Sequence, residues 1–285
     1  MSVKIIADSA SEVSQETAKE WGITILPLKI RFGNEEFLDG VTLTNKRFYE
    51  MLIESDELPK TSQISPADYE EAFKKAFEEG NDEVVCLTIS SGVSGCVQSA
   101  NIAASEFDGK VHVVDSMQFC ISYYILVEYA KRLRDEGKSA EEIANEIIRV
   151  REKSTVLSVF DTLEYLKAGG RLSSASAFVG EILSIKPVIT ITNGVVEVIG
   201  KARGSKKGNN MLISKVKELG GIEYSMPACV GYTGLSDALL LKYLEDSKEL
   251  YDGDIAEIKR ISVGATVGTY AGPGAIAVAF FPKRV

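Results

Sequence analysis

The sequence contains few of the residues that most often hold metals or form disulfide bonds. Among 285 residues there is a single histidine, His112. With one histidine, we expect no zinc site of mixed cysteine and histidine ligands. The four cysteines (Cys86, Cys96, Cys120 and Cys229) form neither a CxxC pair nor the spacing of a disulfide framework. We therefore expect no metal, reduced thiols and a cytoplasmic protein.

Long apolar runs and an excess of positive charge are missing as well. The longest wholly apolar run, residues 275–281, is far shorter than the roughly 20 residues that span a bilayer. Asp8 interrupts the N-terminus before the apolar core of a signal peptide could form. The chain carries 41 acidic against 32 basic side chains, a net charge of −9, whereas binding to nucleic-acid phosphates needs surplus basic residues. We therefore expect no export signal, no integral membrane segment and no nucleic-acid partner.

The first half alternates β-branched runs with amphipathic stretches, which predicts a parallel sheet with helices on both faces. One helix is predicted over residues 66–79, with Ser65 as its N-cap and Gly80 as its end. Another is predicted to begin after Ser139, where Glu142 completes a capping box. The predicted strands cover residues 3–7, 23–30, 83–89, 111–115 and 155–160.

The second half has a different pattern, which predicts a mixed sheet. Asn193-Gly194 between two apolar runs is a strong hairpin signal. The glycine-rich segment 264–274 predicts a crowded turn before the last strand. Further strands are predicted over residues 187–192, 195–200, 228–233, 257–263 and 275–281, with a helix near 235–251. The expected fold is thus α/β with two lobes, residues 1–160 and 161–285, and a ligand cleft between them.

The most informative segment is the loop of small residues from Ser90 to Gly95, between a predicted buried strand and a helix. Free backbone N–H groups, the positive end of the helix dipole and serine hydroxyls would meet there, which favours a small anion. A serine-capped helix without a ligand is the alternative. The loop has no lysine, so it is no nucleotide P-loop. Ser94 is a weak candidate nucleophile, since Cys96 interrupts the GxSxG pattern and His112 lies inside a predicted strand.

Other polar residues follow strand ends or lie in predicted loops. Asp8 and Asp115 end two predicted parallel strands, where each could cap the next helix or touch a ligand. Thr61 lies in a predicted polar loop. Arg171 follows two glycines, a setting that suits gripping a carboxylate or phosphate or simple solvation. A basic cluster at residues 200–207 stands out on an acidic chain and is open to the same two interpretations.

Taken together and in order, these motifs resemble those of the DegV family of bacterial fatty-acid-binding proteins. The resemblance spans nearly the whole chain, and the ordered set is far more specific than any single motif. The matching segments are residues 8–9, 27–28, 59–63, 90–95, 115–116, 163–166, 169–173, 185–187 and 201–203.

The resemblance implies two α/β lobes enclosing a long-chain fatty acid such as palmitate or oleate, with no cofactor. It implies that Thr61 and Ser94 hold the carboxylate. It further implies a non-catalytic carrier that presents the acid to a separate ATP-dependent fatty acid kinase subunit, with Arg171 and Arg203 as candidates for docking or phosphate contact. The other candidate ligand-binding residues are Ser91, Gly92, Gly95 and Tyr270.

The sequence departs from the family pattern at three places. Tyr270 stands where many relatives have a histidine, Ile64 where proline is usual, and Cys96-Val97 where Thr-Tyr is usual. The change at Tyr270 alters a contact to the fatty acid head group and bears on coupling to a kinase. The alternative function is a small-molecule phosphotransferase that uses the Ser/Gly loop and Arg171, although the sequence shows no base or metal cluster for it. A purely structural protein is the third possibility.

Overall fold

The computed structural model describes residues 2–172, 185–251 and 257–283. Short 3₁₀ turns lie at Ser9–Ser11 and Lys248–Leu250. The strands are β1 Val3–Asp8, β2 Thr24–Leu26, β3 Lys29–Phe32, β4 Glu35–Leu38, β5 Lys60–Ser62, β6 Glu83–Thr88, β7 Val111–Asp115, β8 Thr155–Val159, β9 Ile185–Thr192, β10 Val195–Arg203, β11 Cys229–Tyr232, β12 Lys259–Ser262 and β13 Ile276–Phe280. The helices are α1 Gln15–Trp21, α2 Asn45–Glu54, α3 Pro66–Glu78, α4 Cys96–Ala104, α5 Ile121–Asp135, α6 Ala140–Val150, α7 Glu164–Ala168, α8 Ser205–Glu218, α9 Ala238–Asp246 and α10 Ala265–Ala271.

The first sheet is parallel throughout and has the strand order β2-β1-β6-β7. Helices α3 and α4 pack on each other and on this sheet, and α5 and α6 form a second such pair. The predicted capping box of Ser139 with Glu142 at α6 is confirmed, and so is Ser65 as the N-cap of α3. Ser65 also forms a capping box with Asp68, which was not predicted. Since the strands run parallel, their carboxyl ends, including that of β6, lie along one edge.

The second sheet is mixed, with the order β10-β9-β8-β13-β11-β12 and a single parallel pair, β11 with β12, among the described strands. The predicted hairpin is confirmed. Asn193 and Gly194 have φ of 51° and 77° at the turn between β9 and β10, as a two-residue turn with positive φ requires. The α/β prediction of a parallel N-terminal sheet, helices and a mixed C-terminal sheet therefore holds.

The strand over residues 155–160 was predicted to belong to the N-terminal lobe, and this was wrong. β8 pairs antiparallel with β13 and β9 in the second sheet, with Val159 opposite Ile276. An apolar strand after a helix satisfies its hydrogen bonds equally well in either sheet, so its own pattern does not select its partner. We propose that the boundary between the lobes lies between α6 and β8 rather than at residue 160.

A third, antiparallel sheet of order β4-β3-β5 was not predicted. The predicted strand 23–30 is divided into β2 and β3, which belong to different sheets; Pro27 and Leu28 lie between them. Proline has no backbone N–H for a ladder, which favours a break there. β5 contains Thr61, opposite Ile30, so the predicted polar loop is a short strand at this point.

Segment 264–274 also differs from the prediction. Residues 265–271 form the helix α10, and only the following residues make a turn, in which Gly272 and Gly274 have φ of 67° and 85°. A glycine and several β-branched residues give this stretch a low helix propensity. Contacts with the rest of the protein therefore decide its conformation. Helix α5 contacts strands of both large sheets.

Candidate functional site

A cavity of about 210 Å³ lies where the carboxyl edge of the first sheet, β5, the second sheet and α10 meet. One end is polar and carries hydroxyl, amide and guanidinium groups, and the rest is apolar. The polar lining residues are Thr61, Gln63, Ser94, Arg171, Thr266 and Tyr270. The remaining lining residues are Leu28, Ile89, Val93, Gly95, Phe119, Phe160, Leu166, Ile189, Val196, Val267 and Ala271.

A second cavity of about 40 Å³ lies next to the first and is almost wholly apolar. Two of its hydroxyls are engaged elsewhere, since Ser158 donates to the carbonyl of Ile276 at 2.7 Å and Thr233 accepts from Ala275 N–H at 2.8 Å. Five residues line both cavities: Phe119, Phe160, Ile189, Val267 and Ala271. The two cavities are therefore neighbours, with these apolar side chains between them.

Thr61 and Tyr270 meet at the polar end. Their hydroxyl oxygens are 2.6 Å apart, a hydrogen bond between residues 209 positions apart in sequence. The antiparallel pairing of β5 with β3 places Thr61, and α10 places Tyr270. In a pair at this distance one hydroxyl donates to the other, and the accepting hydroxyl keeps its own proton to donate to an anion beside the pair. The residue that departs from the family pattern is therefore in direct contact with a predicted head-group residue.

Ser94 lines the same cavity at the N-terminus of α4. Gly95 is the N-cap of this helix and supplies no side-chain hydrogen bond. The Ser94 hydroxyl donates to the thiol sulfur of Cys96 at 3.2 Å and accepts from the Cys96 N–H at 3.4 Å. A thiol is a weak acceptor, so the hydroxyl can turn to a carboxylate at low cost. Burial raises the pKa of the Cys96 thiol to about 11, which keeps it neutral.

Ser91 and Gly92, also predicted to bind the ligand, do not line the cavity and instead hold the loop in place. Ser91 N–H donates to Asp115 Oδ1 at 3.2 Å, and the Ser90 hydroxyl donates to the carbonyl of Gly194 at 2.7 Å. A Cβ on Gly92 would lie 2.7 Å from that same carbonyl oxygen, so only glycine fits. The loop is thereby clamped against the β9–β10 turn, which joins the two lobes beside the cavity.

Arg171 is exposed and lies over the ring of Tyr270, with its guanidinium carbon 5.0 Å from the ring centre. It donates to the carbonyl of Gly169 at 2.7 Å. The structure thus places Arg171 at the polar end of the cavity, and whether it grips an anion or is simply solvated stays a prediction. Arg203 ends β10 opposite Ile185 and does not line the cavity. Ser173, the last residue of the Gly-Gly-Arg motif, lies outside the described residues.

The carboxylates at the strand ends bind backbone rather than facing the cavity. Asp8 is fully buried and accepts from Ile89 N–H at 2.6 Å and from Ala10 N–H at 3.1 Å. Burial outweighs these hydrogen bonds and raises the pKa of Asp8 to about 7. Asp115 accepts from Met117 N–H at 3.0 Å in addition to Ser91 N–H. Both act as loop supports, which leaves Arg171 as the charged residue that lines the cavity.

Comparison with known proteins identifies the family. The family described as "Uncharacterised protein, DegV family" matches residues 2–283. The chain belongs to the DegV family. A DegV domain-containing protein of Deinococcus radiodurans is 34% identical over 286 residues, covering 99% of each chain.

Solved DegV structures have the same fold. A structure described as fatty acid binding of a DegV family protein from Thermus thermophilus is 30% identical, with a TM-score of 0.87 over 99% of this chain and 100% of that one. A DegV family protein from Eubacterium eligens, loaded with heptadecanoic acid, is 27% identical, with a TM-score of 0.82 over 99% and 100%. Proteins with this fold and related sequences thus bind fatty acids.

The described residues contain neither a cluster of metal ligands nor a helix that could span a membrane. In residues 2–172, 185–251 and 257–283, no group of three His, Cys, Asp or Glu side chains is placed to hold a metal ion. His112, the remaining candidate base, lies on the edge strand β7 with its Nε2 4.0 Å from Glu83. None of the helices in the described ranges has both the length and the apolar character needed to cross a bilayer.

Two acidic residues that support this DegV site are not predicted from the sequence. Glu12 and Asp39 accept hydrogen bonds from backbone N–H groups at the start of α10. Glu12 stands among serines and Asp39 stands before a glycine, and both patterns are typical of a solvated turn.

Proposed function

We propose that this protein binds one long-chain fatty acid, with its carboxylate at Thr61 and Ser94 and its tail in the apolar space beyond. The observation that carries this proposal is that a cavity with polar side chains and a second, almost wholly apolar cavity share lining residues, among them Phe119, Ile189 and Val267. A polar site with an apolar cavity next to it matches the polarity of a fatty acid, whose tail would pass between these shared side chains. The fatty acids bound by related DegV proteins support the same conclusion.

The free energies of tail burial and of hydrogen bonding to the head group indicate which part of the site determines affinity. Burying a methylene contributes about 0.8 kcal/mol, so a tail of ~14 methylenes contributes on the order of 10 kcal/mol before ordering costs. A hydrogen bond to a charged head contributes roughly 1.5–3 kcal/mol. The tail therefore determines affinity, while Thr61, Ser94 and Tyr270 determine where the carboxylate lies. Arg171, at the exposed polar end, adds positive charge.

We further propose that the carrier presents its fatty acid to a separate ATP-dependent kinase subunit. Free fatty acid is sparingly soluble, and such an enzyme needs the carboxylate delivered in one orientation. The exposure of Arg171 beside Tyr270 supports a role for Arg171 in meeting the partner or the phosphate. Arg203 stays a candidate for the same contact. The phosphotransferase alternative receives no support from Ser94, whose hydroxyl donates to a thiol rather than to a base.

Lipid extraction tests the binding proposal directly. Protein purified from a bacterial host and extracted under denaturing conditions is expected to release long-chain fatty acid in about equimolar amount, measured by mass spectrometry. Delipidated protein is expected to take up palmitate or oleate. A chain that is empty and takes up neither acid would refute the proposal, and ATP hydrolysis by the isolated chain would instead favour the phosphotransferase.

Ser94→Ala is expected to weaken binding only modestly, by about tenfold, because the tail supplies most of the affinity. The carboxylate should also lose its fixed position, visible as a changed ¹³C chemical shift of carboxyl-labelled palmitate. Ser105→Ala is a suitable control, since Ser105 is exposed and caps its own helix end through the carbonyl of Ile102. Unchanged affinity together with an unchanged carboxyl shift would remove Ser94 from the site.

A further inference from the structure

Helix α10 carries Tyr270 but cannot fix its own position. It has seven residues, and its N-cap, Gly264, offers no side chain to the first backbone donors. Isolated helices of this length are unstable in water, and unsatisfied N–H groups at a buried helix start are costly. The N-terminal end of α10 must therefore be held by other parts of the chain.

Two carboxylates from the N-terminal half satisfy those donors. Asp39 accepts from Ala265 N–H at 3.0 Å, from Thr266 N–H at 3.2 Å and from the Thr266 hydroxyl at 2.5 Å. Glu12 accepts from Gly264 N–H at 2.6 Å. The Ser9 hydroxyl holds Asp39 in turn, at 2.9 Å. The contacts of Asp39 and Glu12 with α10 all join residues more than 200 positions apart in sequence.

The carbonyls before α10 and the body of the helix are held as well. Asn45 donates to the carbonyl of Ser262 at 2.7 Å, and the Tyr49 hydroxyl donates to that of Val263 at 3.1 Å. A Cβ on Gly268 would lie 2.6 Å from Phe48 and 2.8 Å from the Tyr49 hydroxyl. Because α10 packs this closely on α2, a shift at its start carries the whole helix with it.

From these contacts we propose that Glu12 and Asp39 are positioning residues for the carboxylate-binding end of the cavity, acting through Tyr270. They fix the start of α10, and α10 in turn fixes where the Tyr270 hydroxyl meets Thr61. This inference rests on the proposed function, because the quantity that they set is the geometry of fatty acid binding. Neither residue lines the cavity that contains Thr61 and Ser94.

The surroundings of Glu12 determine which substitution removes its charge but keeps the hydrogen-bond acceptor that holds α10. Burial and the nearby Asp39 raise the pKa of the Glu12 carboxyl well above its usual range. A neutral amide is therefore a close replacement, because Glu12→Gln keeps an oxygen for Gly264 N–H. Glu12→Ala removes that acceptor. Asp39 uses both oxygens, so Asp39→Asn loses one acceptor and turns a donor toward another donor.

The experiment measures palmitate affinity of the full chain in a double-mutant cycle with Tyr270→Phe. We expect Asp39→Asn and Glu12→Ala to weaken binding by about tenfold and Glu12→Gln to restore it to near the wild-type value. In the Tyr270→Phe background the Asp39→Asn effect should shrink markedly, because the contact through which it acts is gone. Hydrogen exchange of backbone amides in 264–271 should quicken in Asp39→Asn and Glu12→Ala.

Glu142→Gln is the matched control. Glu142 also accepts a hydrogen bond from a backbone N–H at the start of a helix, that of Ser139 at 2.9 Å. It is exposed and does not line the cavity. Its palmitate affinity should be unchanged. If wild type binds and Asp39→Asn binds equally, or if its effect is fully additive with Tyr270→Phe, the inference is overturned. If wild type takes up no fatty acid, the proposed function fails instead. Should Asp39→Asn not fold, the Glu12 pair decides alone.

Discussion

Val267→Trp is expected to abolish uptake of long-chain fatty acids while leaving the protein folded. Val267 lies on α10 and lines both cavities, so it stands at the boundary between them. It is only partly buried, so a larger side chain can grow into the empty space. An indole ring there would occupy the path that the proposed tail must take.

The expected loss of affinity follows from the tail. Excluding even ~4 methylenes removes about 3 kcal/mol, more than a hundredfold in Kd. Binding is measured by displacement of a fluorescent fatty acid, and folding by the thermal unfolding midpoint, which should hold or rise because a void has been filled. Val41→Trp, at a residue 52% exposed, is the control for the same substitution. Affinity of Val267→Trp within about threefold of wild type would show that the tail takes another route.

Local signals in the sequence were sufficient where the chain forms regular elements with their own caps and turns. Ser65 and Ser139 start helices through capping boxes, and Asn193-Gly194 closes a hairpin. Such features are encoded within a few residues, because the partner of each hydrogen bond is close in sequence. The alternation of strands and helices likewise predicts the parallel sheet.

Elements that depend on distant partners were not predictable in this way. β8 has an ordinary apolar strand pattern, and only its pairing with β13 assigns it to the second sheet. α10 contains a glycine and β-branched residues, and its helical form is sustained by Asp39 and Glu12. Each of these contacts is an ordinary hydrogen bond, but its two partners are far apart in sequence and meet only in the folded chain. The local sequence pattern therefore does not reveal them.

For the candidate site, the family resemblance contributed more than composition or periodicity. Thr61 and Ser94 are far apart in sequence, yet they line one cavity, as the resemblance implies. Residue chemistry alone indicated an anion site at the Ser/Gly loop but no tail. Within that loop the structure divides the roles, since Ser94 and Gly95 line the cavity whereas Ser91 and Gly92 do not. The sequence holds no signal for this division, because all four are small residues.

The stability of the protein is expected to fall as pH rises from about 4 to about 7, and Asp8 contributes to this fall. In the folded chain its pKa is about 7, above the ordinary value of 3.8, because burial disfavours the carboxylate. Between these values the folded state binds more protons than the unfolded state, so stability decreases with pH and levels off above about 7. The full difference is on the order of 4 kcal/mol.

Urea unfolding of wild type and Asp8→Asn across this pH range tests the prediction. Because Asn cannot ionise, the plot of stability against pH should be shallower for Asp8→Asn. Its absolute stability should be lower, because the amide NH₂ group would face the backbone N–H of Ile89 or Ala10, which both donate to the carboxylate in the wild type. Titrating groups that do not interact with Asp8 cancel in the difference. Glu12, whose pKa is raised by burial, by Asp39 and also by the Asp8 carboxylate, is coupled to Asp8, so the difference reports the titration of Asp8 together with this coupling. Asp82→Asn is the control. Asp82 is exposed, and the hydrogen bonds from Ser2 lower its pKa, so its titration falls in the acid range and should leave the slope above pH 5 unchanged. Parallel curves for wild type and Asp8→Asn would mean that Asp8 is ionised throughout, and the buried carboxylate at the end of β1 would then be stabilised by its backbone donors despite its burial.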